Sequence, residues 1–312
     1  MNYSPVAFFA FKRPYHTSRS LNSLSLNNEA KNTDLYVFID GPRKSSEVHL
    51  IDNVEKIIQS FSTKFKSIRI KRSDKNLSIA TSVYKGVNEV LNFSETVILL
   101  EDDVTVSEYF LSYMNTALDK YHDKKEIWHI NSFIYPIKIK GNFDCFFIKP
   151  ALAYGFGTWK DRWNNFISHP YSRDPNYLKE IFTTKMRKEL DLNVKRGIFW
   201  NQIEYNLRGN TTWAIFWYCH IFLNNGLCLT PKISLSKNIG YDGSGDRTGY
   251  NGEMLSTILN QNKIKNFPNI IKENTYCRDL LKKYIHNKNT IFIVIYRTIK
   301  VILNNFKKIF LR

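Results

Sequence analysis

Apolar and polar positions along this chain follow two periods, and the switching between them sets the expected architecture. Short unbroken apolar runs occur at Val6 to Phe11, Leu35 to Ile39 and Thr96 to Leu100. Runs of that length suit strands buried on both faces, as in the middle of a parallel sheet. Ser67 to Ile70 alternates like a further strand. Between these runs the period becomes helical. His16 to Leu26 carries Leu21, Leu24 and Leu26, Val48 to Phe61 repeats Leu50, Ile51, Val54, Ile57 and Ile58, and Leu77 to Leu91 continues the pattern. Strand and helix alternate from residue 6 to 104, which predicts an α/β fold with a mixed, mainly parallel sheet and right-handed crossovers. Lys12-Arg13-Pro14 and Asp40-Gly41-Pro42-Arg43 stop the first two strands.

Past residue 104, Ser107 to Tyr121 reads as a helix, Ile127 to Ile130 and Leu227 to Leu229 as strands, and residues 175–207 as helical and charged. Asn238 to Gly249 holds Gly240, Gly243, Gly245 and Gly249 and reads as a loop whose backbone amides can approach a ligand closely. No internal repeat or long low-complexity linker interrupts the chain. The expected division is one domain over residues 1–255, with halves 1–106 and 107–255, followed by a helical basic tail over 256–312.

Composition narrows the class. With 312 residues, 43% hydrophobic and 15% aromatic, the chain can bury a substantial core. Cys145, Cys219, Cys228 and Cys277 form no CxxC pair, which argues against a zinc site or a disulfide scaffold and fits a reducing cytoplasm. No secretory leader pattern opens the chain, and no stretch reaches the roughly 18 uncharged apolar residues of a membrane span. The net charge of +17 is unevenly placed: residues 278–312 carry nine Lys and Arg against Asp279 alone, or +8. Anionic partners are therefore expected, whether a nucleotide-linked substrate, nucleic acid or an acidic membrane surface. Neither GxGxxG nor GxxxxGK[ST] is present, so classical dinucleotide and P-loop sites are not expected.

Glu101-Asp102-Asp103 closes the apolar run Thr96 to Leu100. At the C-terminal end of a central parallel strand, it stands where open α/β sheets bind ligands. Three adjacent carboxylates need solvent, basic side chains or a hard cation, and Mg2+ or Mn2+ takes one or two protein carboxylates and completes its shell with phosphate and water. The same triplet in isolation would be an acidic, solvated turn.

An ordered series of motifs decides between these. Phe11-Lys12-Arg13-Pro14, Phe38-Ile39-Asp40-Gly41, Asn76-Leu77, the acidic triplet, Tyr154-Gly155-Phe156-Gly157-Thr158-Trp159, Trp213 to Trp217 and Asn238 to Gly245 together resemble GT-A-fold glycosyltransferases. The likeness is to bacterial sugar transferases related to N-acetylglucosaminyltransferase I and covers roughly residues 5–250. It implies a GT-A-type, Rossmann-like domain whose first half binds a nucleotide-sugar and whose second half takes the acceptor. It also implies roles by position. Asp103 would contact a Mn2+ or Mg2+ ion bridging the donor's phosphates, Asp102 would face the ribose, and Asp40 would recognise a uracil base. Arg13 would meet the nucleotide, with Arg72 and Asn76 nearby. Asp246 stands where related sequences often carry a histidine, a possible second metal ligand.

The inverting mechanism this resemblance implies needs a carboxylate base. Where the relative has its acidic pair, this chain reads Asn210-Thr211-Thr212-Trp213. Asp242 is the substitute, with Glu204 behind it; Asp242 would otherwise cap its own turn through an Asx bond. Trp159 and Trp213, two of five tryptophans between residues 159 and 217, are candidates to pack on an acceptor sugar, against the alternative that each is core. His129 and His220 lie in apolar runs and read as core histidines. In the tail, Ile291, Val294, Ile295, Ile299, Ile302, Phe306 and Ile309 oppose Arg297, Lys300, Lys308 and Arg312, a basic amphipathic pattern suited to an anionic cytoplasmic leaflet or to docking on the domain. The expected function is thus metal-assisted transfer of a sugar, UDP-linked in the donor, to a saccharide or lipid-linked saccharide of the cell surface. Two other readings stay open: an inactive nucleotide-sugar-binding module, and a basic nucleic-acid-binding protein. The latter shows no RRM, KH or helix-turn-helix pattern, and no nucleic-acid partner is expected.

Overall fold

The computed structural model describes residues 3–195, 197–245 and 249–288. Its strands are β1 (Val6–Ala10), β2 (Asp34–Ile39), β3 (Ser67–Arg72), β4 (Thr96–Glu101), β5 (Val104–Val106), β6 (Ile127–Asn131), β7 (Cys145–Ile148), β8 (Phe156–Trp159), β9 (Leu227–Pro231) and β10 (Ser236–Asn238). Helices α1 (Pro14–Ser25), α2 (Val48–Ser60), α3 (Ile79–Leu91) and α4 (Phe110–Lys120) separate the first strands. Further on come α5 (Lys160–Ser168), α6 (Pro175–Ile181), α7 (Thr184–Leu190), α8 (Trp200–Leu207), α9 (Ala214–Leu223), α10 (Gly252–Leu255) and α11 (Thr275–Lys288). The charged stretch expected to be helical over 175–207 is thus three short helices.

Eight strands form one sheet in the order β3-β2-β1-β4-β8-β6-β9-β7, and β10 pairs with β5 in a separate ribbon. The first four strands run parallel, β8 is antiparallel to both neighbours, β6 and β9 run parallel, and β7 closes the edge antiparallel. The expected mixed, mainly parallel sheet flanked by helices is the fold observed. Period-two alternation explains why the central strands read as continuous apolar runs: both faces are covered. Ala7, Phe9, Val97 and Leu99 join one core with Val83, Val87 and Val90 of α3. Val6, Phe8, Ile98 and Leu100 join the opposite core with Leu21, Ile51 and Met114 of α1, α2 and α4.

One expectation needs correction: Trp159 does not face an acceptor, because the glycine-rich segment leading to it is a central strand. Gly155, at φ +83°, turns the chain into β8, and a side chain at Gly157 would press on Leu118 at 3.1 Å. Glycine here marks a close approach between strand and helix, not irregular backbone. Trp159 is buried, its indole N–H donates to the Leu118 carbonyl at 3.0 Å, and Arg162 lies over its ring. Beyond residue 255 the chain goes on packing against the same body. Phe267 stacks on Tyr113, Asn274 N–H donates to the Phe147 carbonyl, and Cys277, Leu281 and Ile285 of α11 are buried in a core that β7 borders. Residues 256–288 belong to the folded body. The amphipathic pattern from Ile291 onward lies outside the described residues. Among those described, no helix is long and apolar enough to cross a membrane.

Candidate active site

The chain runs outward from β1 to β2 and β3, then returns to β4 on the other side of β1, so a crevice opens at the carboxyl ends of these strands. A cleft of about 360 Å3 lies there. Each strand ends in a residue that lines it: Arg13 after β1, Asp40 after β2, Asn76 after β3, and Glu101, Asp102 and Asp103 at β4. Phe9 and Phe38, stacked at 5.3 Å, add an apolar wall. Thr212, Trp213 and Tyr241, from the second half of the chain, close the opposite side.

Asp40 ties the strand ends together. Its Oδ1 accepts from the amides of Gly41 (2.9 Å) and Leu77 (2.7 Å), and its Oδ2 accepts from Asn76 Nδ2 (2.9 Å). Asn76 Nδ2 also donates to the Gly41 carbonyl at 3.0 Å. Oδ1 is saturated by two donors, whereas Oδ2 keeps a lone pair for a ligand N–H. Burial raises the Asp40 carboxyl above its ordinary range.

Asp102 and Asp103 lie side by side in the floor. Asp102 Oδ2 accepts from the Phe11 amide at 3.3 Å. Asp103 Oδ2 accepts from Arg13 Nη1 at 3.0 Å, and its Oδ1 from Asn238 Nδ2 at 3.3 Å. Burial, first of all, raises both carboxyls, and the charge of Asp103 raises Asp102 further, while Arg13 opposes both shifts. A buried and a half-buried acid beside one guanidinium favour a further cation. Among the described residues no group of three or more His, Cys, Asp or Glu is placed to hold a metal, so a hard cation such as Mn2+ or Mg2+ here would draw on few protein ligands. An ion here would be held by Asp103, with the rest of its shell from phosphate and water, as suits a hard cation. Asp246 lies outside the described residues.

The glycine loop approaches this floor closely. A Cβ on Gly240 would stand 2.3 Å from Asp103 Oδ2 and 3.0 Å from Arg13 Nη2. Gly240→Ala should therefore force the pair apart and weaken any ligand of the cleft by about tenfold or more, a loss of at least ~1.4 kcal/mol. Calorimetric titration with UDP would check this; unchanged affinity would detach the loop from the site.

Other sequence candidates fall elsewhere. Arg72 turns away from the cleft and pairs with Asp52 (2.7 Å) and Glu55 (3.0 Å) on α2. Glu204 accepts from Trp200 Nε1 at 3.0 Å on α8 and does not line the cleft. Asp242 does not line it either. Its Oδ1 caps the turn through Ser244 N–H (2.9 Å) and Oγ (2.6 Å), and its Oδ2 stands 3.1 Å from His16 Nε2. The Ser244 hydrogen bonds lower the Asp242 carboxyl, while burial and Arg13 lower His16, so neither is tuned as a base at neutral pH. Trp159 lies in the core. His129 and His220 are fully buried, and burial pushes each down to about 3.

Trp213 does line the cleft, with its ring stacked on Phe156 and its Nε1–H directed to Glu101 Oε1 at 3.3 Å. Glu101 also lines an adjoining cavity of about 170 Å3, which shares Tyr154 and Ala214 with the cleft. Tyr154 and Tyr241 join hydroxyls across the floor at 2.6 Å. Sequence reasoning missed Glu101 as a separate group and Tyr154 with Tyr241 as a pair. For Glu101 a signal existed: alternation places it with Val97 and Leu99, on the face that Trp213 shares.

No family model matches the chain, and no curated protein matches it. Among solved structures it is similar to S. aureus TarS residues 1–349, at 12% identity, TM-score 0.36 and coverage of 50% of this chain and 47% of that one. It is also similar to the galactosyltransferase LgtC in complex with donor and acceptor sugar analogues, at 12% identity, TM-score 0.32 and coverage of 52% and 59%. A third is the mannosyltransferase PcManGT from Pyrobaculum calidifontis in complex with GDP-Man and Mn2+, at 9% identity, TM-score 0.32 and coverage of 51% and 46%. The chain thus spans about half the length of these proteins.

Proposed function

We propose that the chain is a GT-A-type glycosyltransferase that moves a sugar from a nucleotide-sugar, UDP-linked, to a saccharide or lipid-linked saccharide acceptor. The observation that carries this is the convergence of Arg13, Asp40, Asn76 and the acidic triplet in one cleft at the carboxyl ends of β1 to β4. These are the positions to which the sequence resemblance gives donor roles. Asp40 Oδ2, with its remaining lone pair, accepts the imide N–H of a uracil ring against the Phe9 and Phe38 wall. Arg13 stands beside the diphosphate. Asp103 holds Mn2+ or Mg2+, which when bound supplies charge compensation for the departing diphosphate. Trp213 offers its ring to the acceptor side.

The bond from the sugar's anomeric carbon to the diphosphate breaks, and a bond to the acceptor oxygen forms. The acceptor's proton goes to a carboxylate. Glu101 borders both the donor cleft and the adjoining cavity, which suits a group standing between donor and acceptor. We assign the proton to Glu101, with Trp213 N–H fixing its orientation.

The alternative of an inactive nucleotide-sugar-binding module draws on the acid-free segment Asn210 to Trp213; donor hydrolysis or transfer would remove it. Nucleic acid fits the cleft poorly, because its floor is carboxylate. The basic tail would place the enzyme on the inner face of the cytoplasmic membrane. A panel of nucleotide-sugars tested for Mn2+-dependent thermal stabilisation should pick out a UDP-sugar, since selective binding raises stability by about 2.7 kcal/mol at a hundredfold excess over Kd. No stabilisation by any donor, with or without metal, would refute the proposal.

A further inference from the structure

A second cavity of about 250 Å3 adjoins the cleft, and Ser78 and Thr212 line both. The segment carrying Thr212 is the partition between them. Asn206 on α8 fixes it, accepting the Thr212 amide at its Oδ1 (2.8 Å), while Asn210 Nδ2 anchors to the Tyr205 carbonyl at 3.0 Å. A rigid wall of amides and hydroxyls therefore separates two spaces that a ligand could occupy together at their shared rim.

The side cavity differs from the cleft in charge. Lys85 and Arg173 line it, and no carboxylate does. Neither cation has a carboxylate partner among the described residues. Arg173 is held instead by its guanidinium lying 4.9 Å over the Tyr84 ring, while the Tyr84 hydroxyl donates to the Ser172 carbonyl at 2.7 Å. Stacking on an aromatic face orients the guanidinium fork and leaves its edge N–H groups available. Two cations without counter-charges, beside Asn210 and the Thr212 hydroxyl, suit an anion on a hydroxyl-rich molecule. A neutral sugar would leave both charges uncompensated.

We infer that this cavity is a distal subsite for an anionic group, a carboxylate or a phosphate, on a saccharide acceptor whose reacting hydroxyl lies across Thr212 beside Glu101. The inference deepens the proposed glycosyl transfer and rests on that reading for its placement next to the donor. Its ligand chemistry is independent of it. The binding is direct: Arg173 gives a paired hydrogen bond to the anion, Lys85 a point charge, and the wall donors take the neighbouring hydroxyls.

The test uses the full chain and three probes: methyl β-glucuronide, glucose 1-phosphate and the neutral methyl β-glucoside, each titrated with and without UDP. At least one anionic probe should bind about tenfold more tightly than the glucoside, as one charge-assisted hydrogen bond would give. Whether the uronate or the phosphate does so identifies the source of the charge. The double variant K85Q/R173Q should bring that preference within about twofold. Both residues are exposed, so losing the Arg173–Tyr84 stack should lower its thermal unfolding midpoint by no more than a few degrees. Equal binding of all probes, or a preference that survives in the folded variant, would overturn the inference. UDP binding without anion preference would sink this subsite alone. Anion preference without UDP binding would sink the donor reading and keep the subsite.

Discussion

Asp103→Asn should abolish metal-dependent transfer while making the ligand-free protein no less stable at neutral pH. The two effects have one cause. Asp103 is half-buried beside the buried Asp102, and its carboxyl is raised despite Arg13, so the ionised form is disfavoured in the folded chain. A group raised in the folded state costs stability at pH values above its unfolded value of about 3.9. The sign follows from proton binding: between that value and the raised one the folded chain holds a proton that the unfolded chain has released, so stability falls as pH rises. Asparagine keeps the shape and an oxygen for Arg13 Nη1 and removes the half-buried charge. Ligand-free stability should therefore hold or increase near pH 7, and its decline from acid to neutral pH should flatten. Transfer should drop by roughly 10²–10³, the usual loss when one preorganised electrostatic contact to the transition state is removed. Donor-induced thermal stabilisation should lose its metal dependence. Denaturation at several pH values and a transfer assay measure both arms, and a folded Asp103→Asn protein with full activity would remove the triplet from the chemistry.

Such a cost is expected where a fold holds charge for a ligand, and it explains why the triplet could be found in the sequence. A strand buried on both faces reads as an unbroken apolar run, so acids abutting Leu100 stand out. Arg13, Asp40 and Asn76 were legible for the same reason: each follows a recognisable parallel strand, and parallel strands bring their carboxyl ends to one edge. Where the reading failed, the deciding contact was distant in sequence or the local signal had two meanings. Trp159 follows glycines that admit Leu118 against a central strand, so it lies in the core and not beside an acceptor. Arg72 also ends a strand, but Asp52 and Glu55 of α2 claim it. Tyr154 and Tyr241 meet across 87 positions, which no local pattern records. The side cavity with Lys85 and Arg173 likewise joins α3 to a loop far along the chain.

Glu101→Gln should separate donor binding from chemistry. Asp242 and Glu204, the sequence candidates for the base, do not line the cleft. Glu101 borders both the cleft and its neighbour, and the Trp213 N–H reaches its Oε1 at 3.3 Å. Glutamine preserves the size and a carbonyl acceptor for Trp213 but cannot take a proton. The donor's Kd should be unchanged, because the residues that would hold base and diphosphate are untouched. kcat should fall by about 10²–10⁴, the range for losing a positioned general base. Asp242→Asn and Glu204→Gln, made alongside, should retain most of kcat, since one caps a turn and the other holds Trp200. If instead Asp242→Asn silenced the enzyme with Glu101→Gln fully active, the glycine loop would have to swing its carboxylate away from Ser244 and His16 into the cleft. A weaker donor Kd in Glu101→Gln would give Glu101 a contact to the transferring sugar instead of the acceptor's proton.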